Sequence, residues 1–232
     1  MRASIIIPCF NEEKNIIKLV ERFKTIALSN MVDLELVLVD NGSKDGTIDE
    51  IMKVADQNKF VKPVKVEVNQ GYGFGILSGL KEANGDWLGW MHADLQSDPE
   101  IFIEMFRSAI NEDGDFLYKG KRKNRPIVDT LFTIGMSCFE TIYLGTRLWD
   151  INAQPTLLSK KYYQTWTNPP YDFSLDLFTY YMAKKQNIRI KRFESVQRVR
   201  ENGVSSWNTG MKARIKLVKR VLAYSKEMKN YR

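Results

Sequence analysis

The chain predicts an α/β fold, a single domain on a mostly parallel sheet flanked by helices. Three observations lead there. Short apolar runs alternate with segments of helical period. The links between them are short, as in strand–helix repeats that build a parallel, helix-covered sheet. Polar residues gather just after the strands, where ligands bind in open α/β sheets.

The elements follow in order. Ser4-Ile-Ile-Ile-Pro8 predicts a short buried strand. A helix from about Glu12 puts Ile16, Ile17, Leu19, Val20 and Phe23 on one stripe. Residues 34–40 predict the second strand and residues 41–46 a tight polar loop. Thr47 is expected to cap a helix over residues 48–57. Residues 64–68 predict a third strand, and residues 69–75 a glycine-rich turn into a helix over residues 76–83. The apolar run Trp87 to Met91 reads as a buried strand, and Pro99 opens a helix at its first turn, where the missing N–H costs nothing. The second half is less regular. It predicts a strand over 115–119, a basic loop over 119–125 and a half-apolar helix over 127–144, weakened by Gly135. An irregular or extended segment over 150–158, an amphipathic helix over 174–185 and one or two strands over 188–199 complete it.

Composition narrows the class. The 232 residues, 44% apolar and 27% charged, suit a soluble domain with a large core. No uninterrupted apolar run approaches the length of a bilayer span, and the N-terminal one is too short for a secretory signal. Cys9 and Cys138 lack metal-type spacing and are expected to be reduced thiols of a cytosolic protein. Charge is uneven. From Trp207 to Arg232 there are eight Lys or Arg and one acid, so this segment carries the whole formal net charge of +7.

Within that segment Met211, Ile215, Val218 and Leu222 form one apolar helical stripe, with Trp207 a turn ahead. The expected division is a domain over 1–206 and a basic amphipathic helix over 207–232. Such a helix suits an anionic membrane surface, the inner face of the cell membrane; alternatively its stripe packs on the domain and its charges are solvated. Positive charge confined to one segment argues against nucleic acid as a partner.

The most informative stretch is Asp86-Trp-Leu-Gly-Trp-Met-His-Ala-Asp-Leu-Gln-Ser-Asp-Pro-Glu100. A strand ends there in His92, Asp94 and Gln96, metal-competent side chains on alternate residues. They share one side if the chain stays extended. A carboxylate, an imidazole and an amide beyond a strand end can hold a divalent ion that grips a diphosphate. The plain alternative is a strand end followed by a helix cap, with Asp94 or Ser97 capping. Gly71-Tyr-Gly73-Phe-Gly75 does not fit G-x-G-x-x-G and lies in the third strand–helix unit, which excludes a dinucleotide fingerprint; a phosphate-loop motif is absent too. These glycines either ease a tight turn or contact a ligand directly.

From Ser4 to about Asn208 the sequence resembles the inverting family 2 glycosyltransferases of GT-A (Rossmann-like) fold, nearest the dolichol- or polyprenyl-phosphate sugar synthases. The resemblance rests on Ile6-Ile-Pro-Cys-Phe-Asn-Glu-Glu13, Val37-Leu-Val-Asp-Asn-Gly-Ser-Lys-Asp-Gly-Thr47, Asn69-Gln-Gly-Tyr-Gly, His92-Ala-Asp-Leu-Gln-Ser-Asp-Pro-Glu100, Gly120-Lys-Arg122 and Arg200-Glu-Asn-Gly-Val-Ser205, in that order and spacing. It implies a metal-dependent transfer of a hexose from a nucleotide-diphosphate sugar to a polyprenyl phosphate. Other readings are transfer to a hydroxyl of a surface polysaccharide or glycolipid, and a non-catalytic sugar-nucleotide scaffold.

The same resemblance assigns roles. Pro8, Phe10 and Glu12 match positions holding base and ribose, and Asp40 the base-contacting acid. Asn69, Gly71, His92 and Ala93 are further substrate-binding candidates. Asp94 matches the second Asp of Asp-x-Asp, which binds Mg²⁺ or Mn²⁺, and Gln96 a further ligand. Arg122, Arg200 and Ser205 match phosphate-handling positions, and Asp176 an acid near the acceptor. Asp176 or Asp172 would serve as base toward a hydroxyl; an ionised acceptor phosphate needs none. The chain also departs from the pattern. His92 replaces the first Asp, and it either ligates the metal or hydrogen-bonds the sugar or a phosphate. Asn41 stands where relatives have a second Asp, Ser206 replaces a lysine, and Asn152-Ala-Gln-Pro155 replaces Ser-Gly-Phe. The arginine expected near Asp129 and Thr130 is absent.

Overall fold

The structure, a computed structural model, describes residues 1–94, 96–124, 126–196 and 211–229, and only the backbone of 211–217. Its centre is β1 (Ala3–Cys9), paired in parallel with β2 (Leu34–Asn41) on one side and β4 (Trp87–Trp90) on the other. β3 (Val61–Val66) forms one edge, where Pro63 is tolerated because only one flank pairs. Beyond β4 lie β6 (Thr156–Ser159), β5 (Phe116–Lys123) and β7 (Arg189–Val196), giving the order β3-β2-β1-β4-β6-β5-β7. β6 alone runs antiparallel to its neighbours, so the sheet is mostly parallel as expected.

Period-two alternation divides the strands between two cores. Ile5 and Ile7 of β1, with Leu36 and Leu38 of β2, face α1 (Ile16–Asn30), α2 (Thr47–Gln57) and α4 (Pro99–Ile110). Ile6, Val37, Val39, Leu88 and Trp90 face α3 (Tyr72–Glu82) and α7 (Leu175–Lys185). Burial on both faces is why β1 and β2 read as continuous apolar runs. Truncating a fully buried residue such as Ile6 to Ala is expected to cost about 2–5 kcal/mol. The remaining helices are α5 (Ile127–Leu144), the single turn α6 (Lys160–Tyr163) and α8 (Met211–Met228).

Several expectations are corrected. α3 begins at Tyr72, so the glycine-rich turn is already its first turn. Thr47 is the first residue of α2 rather than its cap; its hydroxyl accepts from Glu12 N and donates to Asp45 Oδ1. The cap of α4 is neither Asp94 nor Ser97 but Asp98, whose carboxylate accepts from Glu100 N. β3 begins at Val61, three residues before the predicted strand start, because Asn58 already closes α2. The basic loop of 119–125 is mostly strand β5, held by pairing with β7 along its length. Part of the irregular segment is β6. α5 is also long and apolar enough to span a bilayer by length and composition, with a mean hydropathy of 1.3 over 18 residues, although no single uninterrupted apolar run is.

The tail helix packs on the domain. In α8, Val221, Ser225 and Met228 are buried, and the Ser225 hydroxyl meets both carboxylate oxygens of Glu140 in α5 at 2.9 and 2.8 Å. The residues that seat α8 lie beside the expected stripe, whose members Val218 and Leu222 are half-buried. Trp207 lies outside the described residues.

Candidate active site

Parallel strands deliver their C-terminal ends to one edge of the sheet. The residues after β1, β2 and β4 and the end of β5 converge there. Because β6 is antiparallel, its first residue, Thr156, pairs with both Trp90 and Lys119, which brings residues 150–155 to the same edge.

The first two loops are stitched together. Cys9 pairs with Asp40 in the β1–β2 register. Asn11, in the left-handed region at φ 57°, accepts from Lys44 N, and its own N–H donates to Ser43 Oγ. Ser43 N donates to Asp40 Oδ1 at 3.0 Å, Glu12 N to Thr47 Oγ1 at 2.9 Å, and Gly46 N to Glu13 Oε2 at 3.2 Å. The third loop joins them. A Cβ on Gly42 (φ +74°) would lie 2.6 Å from Asn69 N. Asn41 Nδ2 donates to the Gly71 carbonyl at 3.0 Å, and Gly71 N to Asn69 Oδ1. Pro8, Phe10, Glu12, Asp40, Asn69 and Gly71 thus belong to one loop cluster. Its carboxylates mark it electrically. Burial pushes the Cys9 thiol well above its ordinary value, and Glu12, Asp40 and Asp45 push it further. Cys9 is a packing residue here, not a nucleophile.

The glycines of the third loop serve close backbone approach. A Cβ on Gly71 would lie 2.4 Å from the Tyr171 carbonyl oxygen, and one on Gly73 2.6 Å from that of Pro170. Phe74 N donates to Tyr171 O at 2.8 Å. The segment 170–172 therefore closes over the start of α3.

Beyond β4 the chain does not stay extended. It turns at Ala93 and Asp94, and Gln96 N donates to Asp94 Oδ1 at 3.1 Å. A turn, not strand alternation, sets the relation of His92, Asp94 and Gln96. Ala93 is anchored in the apolar core and Asp94 is nearly buried. The His92 ring lies against Tyr72, centroids 5.5 Å apart. Tyr72 stacks on Phe173 at 4.7 Å, and its hydroxyl accepts a hydrogen bond from Gln154 Nε2. Burial pushes the Tyr72 phenol well up, and the charges of Asp176 and Asp94 add to that. Tyr72 therefore sits within electrostatic reach of both carboxylates.

The donor set suits a hard cation. Among the described residues no three His, Cys, Asp or Glu side chains form a ready-made cage. Mg²⁺ and similar ions commonly use one or two carboxylates and take remaining oxygens from substrate phosphates. A carboxylate oriented by a backbone N–H, beyond a strand end, fits that pattern.

On the far side Asp150 organises the arginines. Its carboxylate accepts from Arg122 N at 2.8 Å and Arg122 Nε at 2.7 Å, with Arg122 Nη2 at 2.5 Å and Arg192 Nη2 at 3.8 Å. Arg122 lines a small pocket together with Met136 and Glu140 of α5, Phe173, Leu177 and Val218. Asp176 is no solvated helix-start acid. It is 2% exposed and pairs at 3.1 Å with Lys119 Nζ, which also donates to Thr156 Oγ1. Burial lowers the Lys119 ammonium, and Asp176 pulls it back up. Asp172 accepts from Ser174 N at the entry to α7. Arg200 and Ser205 lie outside the described residues.

Sequence reasoning missed Tyr72, Gln154, Asp150 and Lys119. Tyr72 had a signal, an aromatic inside a glycine-rich loop. Asp150 and Lys119 had none, because their partners are remote in sequence.

The family model for glycosyl transferase family 2 matches residues 4–175. Among curated relatives, the undecaprenyl-phosphate 4-deoxy-4-formamido-L-arabinose transferase of Photorhabdus laumondii is 31% identical over 132 residues, 56% of this chain and 39% of that protein. The dodecaprenyl-phosphate galacturonate synthase of Rhizobium johnstonii is 31% identical over 165 residues, 71% and 48%. The dolichol-phosphate mannosyltransferase of Saccharomyces cerevisiae is 34% identical over 106 residues, 45% and 40%. The chain thus spans less than half the length of these relatives. A glucosyl-3-phosphoglycerate synthase of Mycobacterium tuberculosis, solved with Mn²⁺, uridine diphosphate and glucosyl-3-phosphoglycerate, superposes with a TM-score of 0.77 at 16% identity, covering 98% of this chain and 79% of that one. The architecture is therefore GT-A, and with most of its length matched the chain belongs to glycosyl transferase family 2.

Proposed function

We propose that the protein transfers a hexose, with inversion, from a nucleotide-diphosphate sugar to a polyprenyl phosphate at the cytoplasmic face of a membrane. The observation that carries the reading is Asp94: a nearly buried carboxylate just beyond β4, held by Gln96 N and within electrostatic reach of Tyr72. The relatives named as polyprenyl- and dolichol-phosphate sugar transferases support the acceptor class.

In this reading the loop cluster of Pro8, Phe10, Glu12, Asp40, Asn69 and Gly71 holds the nucleoside. Asp94, with Gln96 and His92, would hold Mg²⁺ or Mn²⁺ against the diphosphate. When bound, such an ion supplies Lewis-acid stabilisation of the leaving phosphate. Arg122 faces a phosphate with a planar fork, which Asp150 fixes in direction. Arg200 and Ser205 are assigned to the same task. Asp176 orients rather than abstracts: Lys119 holds its charge, and an ionised acceptor phosphate needs no base.

Transfer assays with a panel of nucleotide sugars and detergent-dispersed polyprenyl phosphates test the reading. Lipid-linked product is expected, and Asp94→Ala should lower turnover by roughly 100-fold or more without loss of fold. Product formed only with saccharide acceptors would refute the lipid acceptor.

A further inference from the structure

Helix α5 is inverted for a water-facing surface. At about 100° per residue, Ile127, Val128, Leu131, Cys138, Phe139 and Ile142 fall within an arc of about 120°. All six are exposed, Ile127 by 77%, Leu131 by 62% and Ile142 by 82%. The opposite side carries the polar groups, and it faces the domain. Ser137 Oγ accepts from Asp150 N at 3.1 Å, Thr141 Oγ1 bonds both the N–H and the carbonyl of Leu148 at 3.0 Å, and Glu140 meets Ser225. These attachments hold α5 along the domain surface, so its apolar arc lies in a plane rather than crossing one. A patch of this kind marks an interaction surface.

Charge identifies what it meets. Lys121 precedes α5 and Arg147 follows it, both exposed. Just past α8, Lys229 Nζ lies 4.9 Å from the centre of the Tyr143 ring, and α8 itself exposes Lys219, Arg220 and Lys226 against one acid, Glu227. An apolar arc with a basic collar is the pattern of a helix lying in the boundary of an anionic leaflet. The cavity holding Arg122 opens against α5, so docking there brings a phosphate-binding group to lipid.

We propose that α5 docks the protein on an anionic bilayer, its Ile127–Ile142 arc entering the headgroup boundary, with α8 as a basic collar. This rests on the reading of the acceptor as a membrane lipid for its purpose, while the contact itself is independent of turnover. The chain carries its own probe site, since Cys138 lies exposed on the arc and Cys9 is fully buried. The wild-type protein, labelled at Cys138 with an environment-sensitive fluorophore, is mixed with phosphatidylcholine vesicles with or without phosphatidylglycerol and brominated acyl chains. Neither nucleotide nor acceptor is added. The expected result is a blue-shifted emission, quenched by the brominated chains, that strengthens with phosphatidylglycerol. The double variant Leu131→Gln/Ile142→Gln should lose vesicle affinity by roughly tenfold or more, with melting temperature and nucleoside-diphosphate binding unchanged. An unquenched label, a double variant that binds vesicles like wild type, or a dimer that buries the label without lipid would each overturn the proposal. Failure of sugar transfer in detergent would instead strike the acceptor reading and leave the vesicle result standing.

Discussion

Asp176 and Lys119 show how far a single side chain's surroundings change its reading. Both belong to strongly hydrated residue types, yet they are 2% and 0% exposed and paired at 3.1 Å. Removing one partner leaves a buried charge uncompensated. Lys119→Met is therefore expected to destabilise the fold by about 3–5 kcal/mol in urea denaturation, and Lys119→Met/Asp176→Leu to recover much of that. A single variant as stable as wild type would contradict the buried pair. Asp94 was legible as a candidate site residue from local sequence because its neighbours, a strand end and a Pro-started helix, are themselves local. The stack of His92, Tyr72 and Phe173 was not, since its members come from three separate segments.

Among the elements, α3 is positioned by what its glycines allow. Gly71 sits at φ +123°, and a side chain there would meet the Tyr171 carbonyl. Gly71→Ala is expected to cost about 1–3 kcal/mol of stability through backbone strain, with further loss from displacing 170–172. A melting temperature unchanged from wild type would show that the segment yields freely. Strand β5 shows why charge runs mislead. Lys119 to Lys123 reads as a solvated loop until β7, seventy residues on, supplies its hydrogen-bonding partner.

The contact of α5 with α8 makes a further prediction at this scale. The Ser225 hydroxyl is the donor toward Glu140, with Val221 O as a further acceptor within reach. Burial raises the Glu140 carboxyl to about 7 from 4.5, against the opposing bond donated by Ser225. The folded state then binds the carboxyl proton more tightly than the unfolded chain. Its contribution to stability is full below about pH 4.5 and is lost as pH rises through about 7. Between these limits the wild-type melting temperature should fall by roughly 3–6 °C more than that of Glu140→Gln. Parallel pH profiles of the two proteins would contradict the shifted carboxyl.

For the molecule as a whole, topology does the assembling. Parallel strands carry four loops to one edge, and the lone antiparallel strand β6 returns residues 150–155 to it. The parallel half was legible because its strands are buried on both faces and its helices are amphipathic. The order of β6, β5 and β7 was not, because non-local pairing leaves no periodic trace in any of them. Sequence expectation put apolar membrane-facing surface on the tail stripe; the structure adds an exposed apolar arc on α5, while Val221 and Met228, beside that stripe, are buried.

The central claim is that Asp94 joins a divalent cation to the diphosphate of the donor. Calorimetric binding of uridine and guanosine diphosphates, with Mn²⁺ and with chelator, tests it most directly in wild type and Asp94→Ala. The account predicts that Mn²⁺ tightens binding of one of these nucleotides to wild type by roughly tenfold or more, and that Asp94→Ala loses this gain while keeping the chelator-level affinity. An Asp94→Ala protein that retains the full Mn²⁺-dependent gain would contradict it.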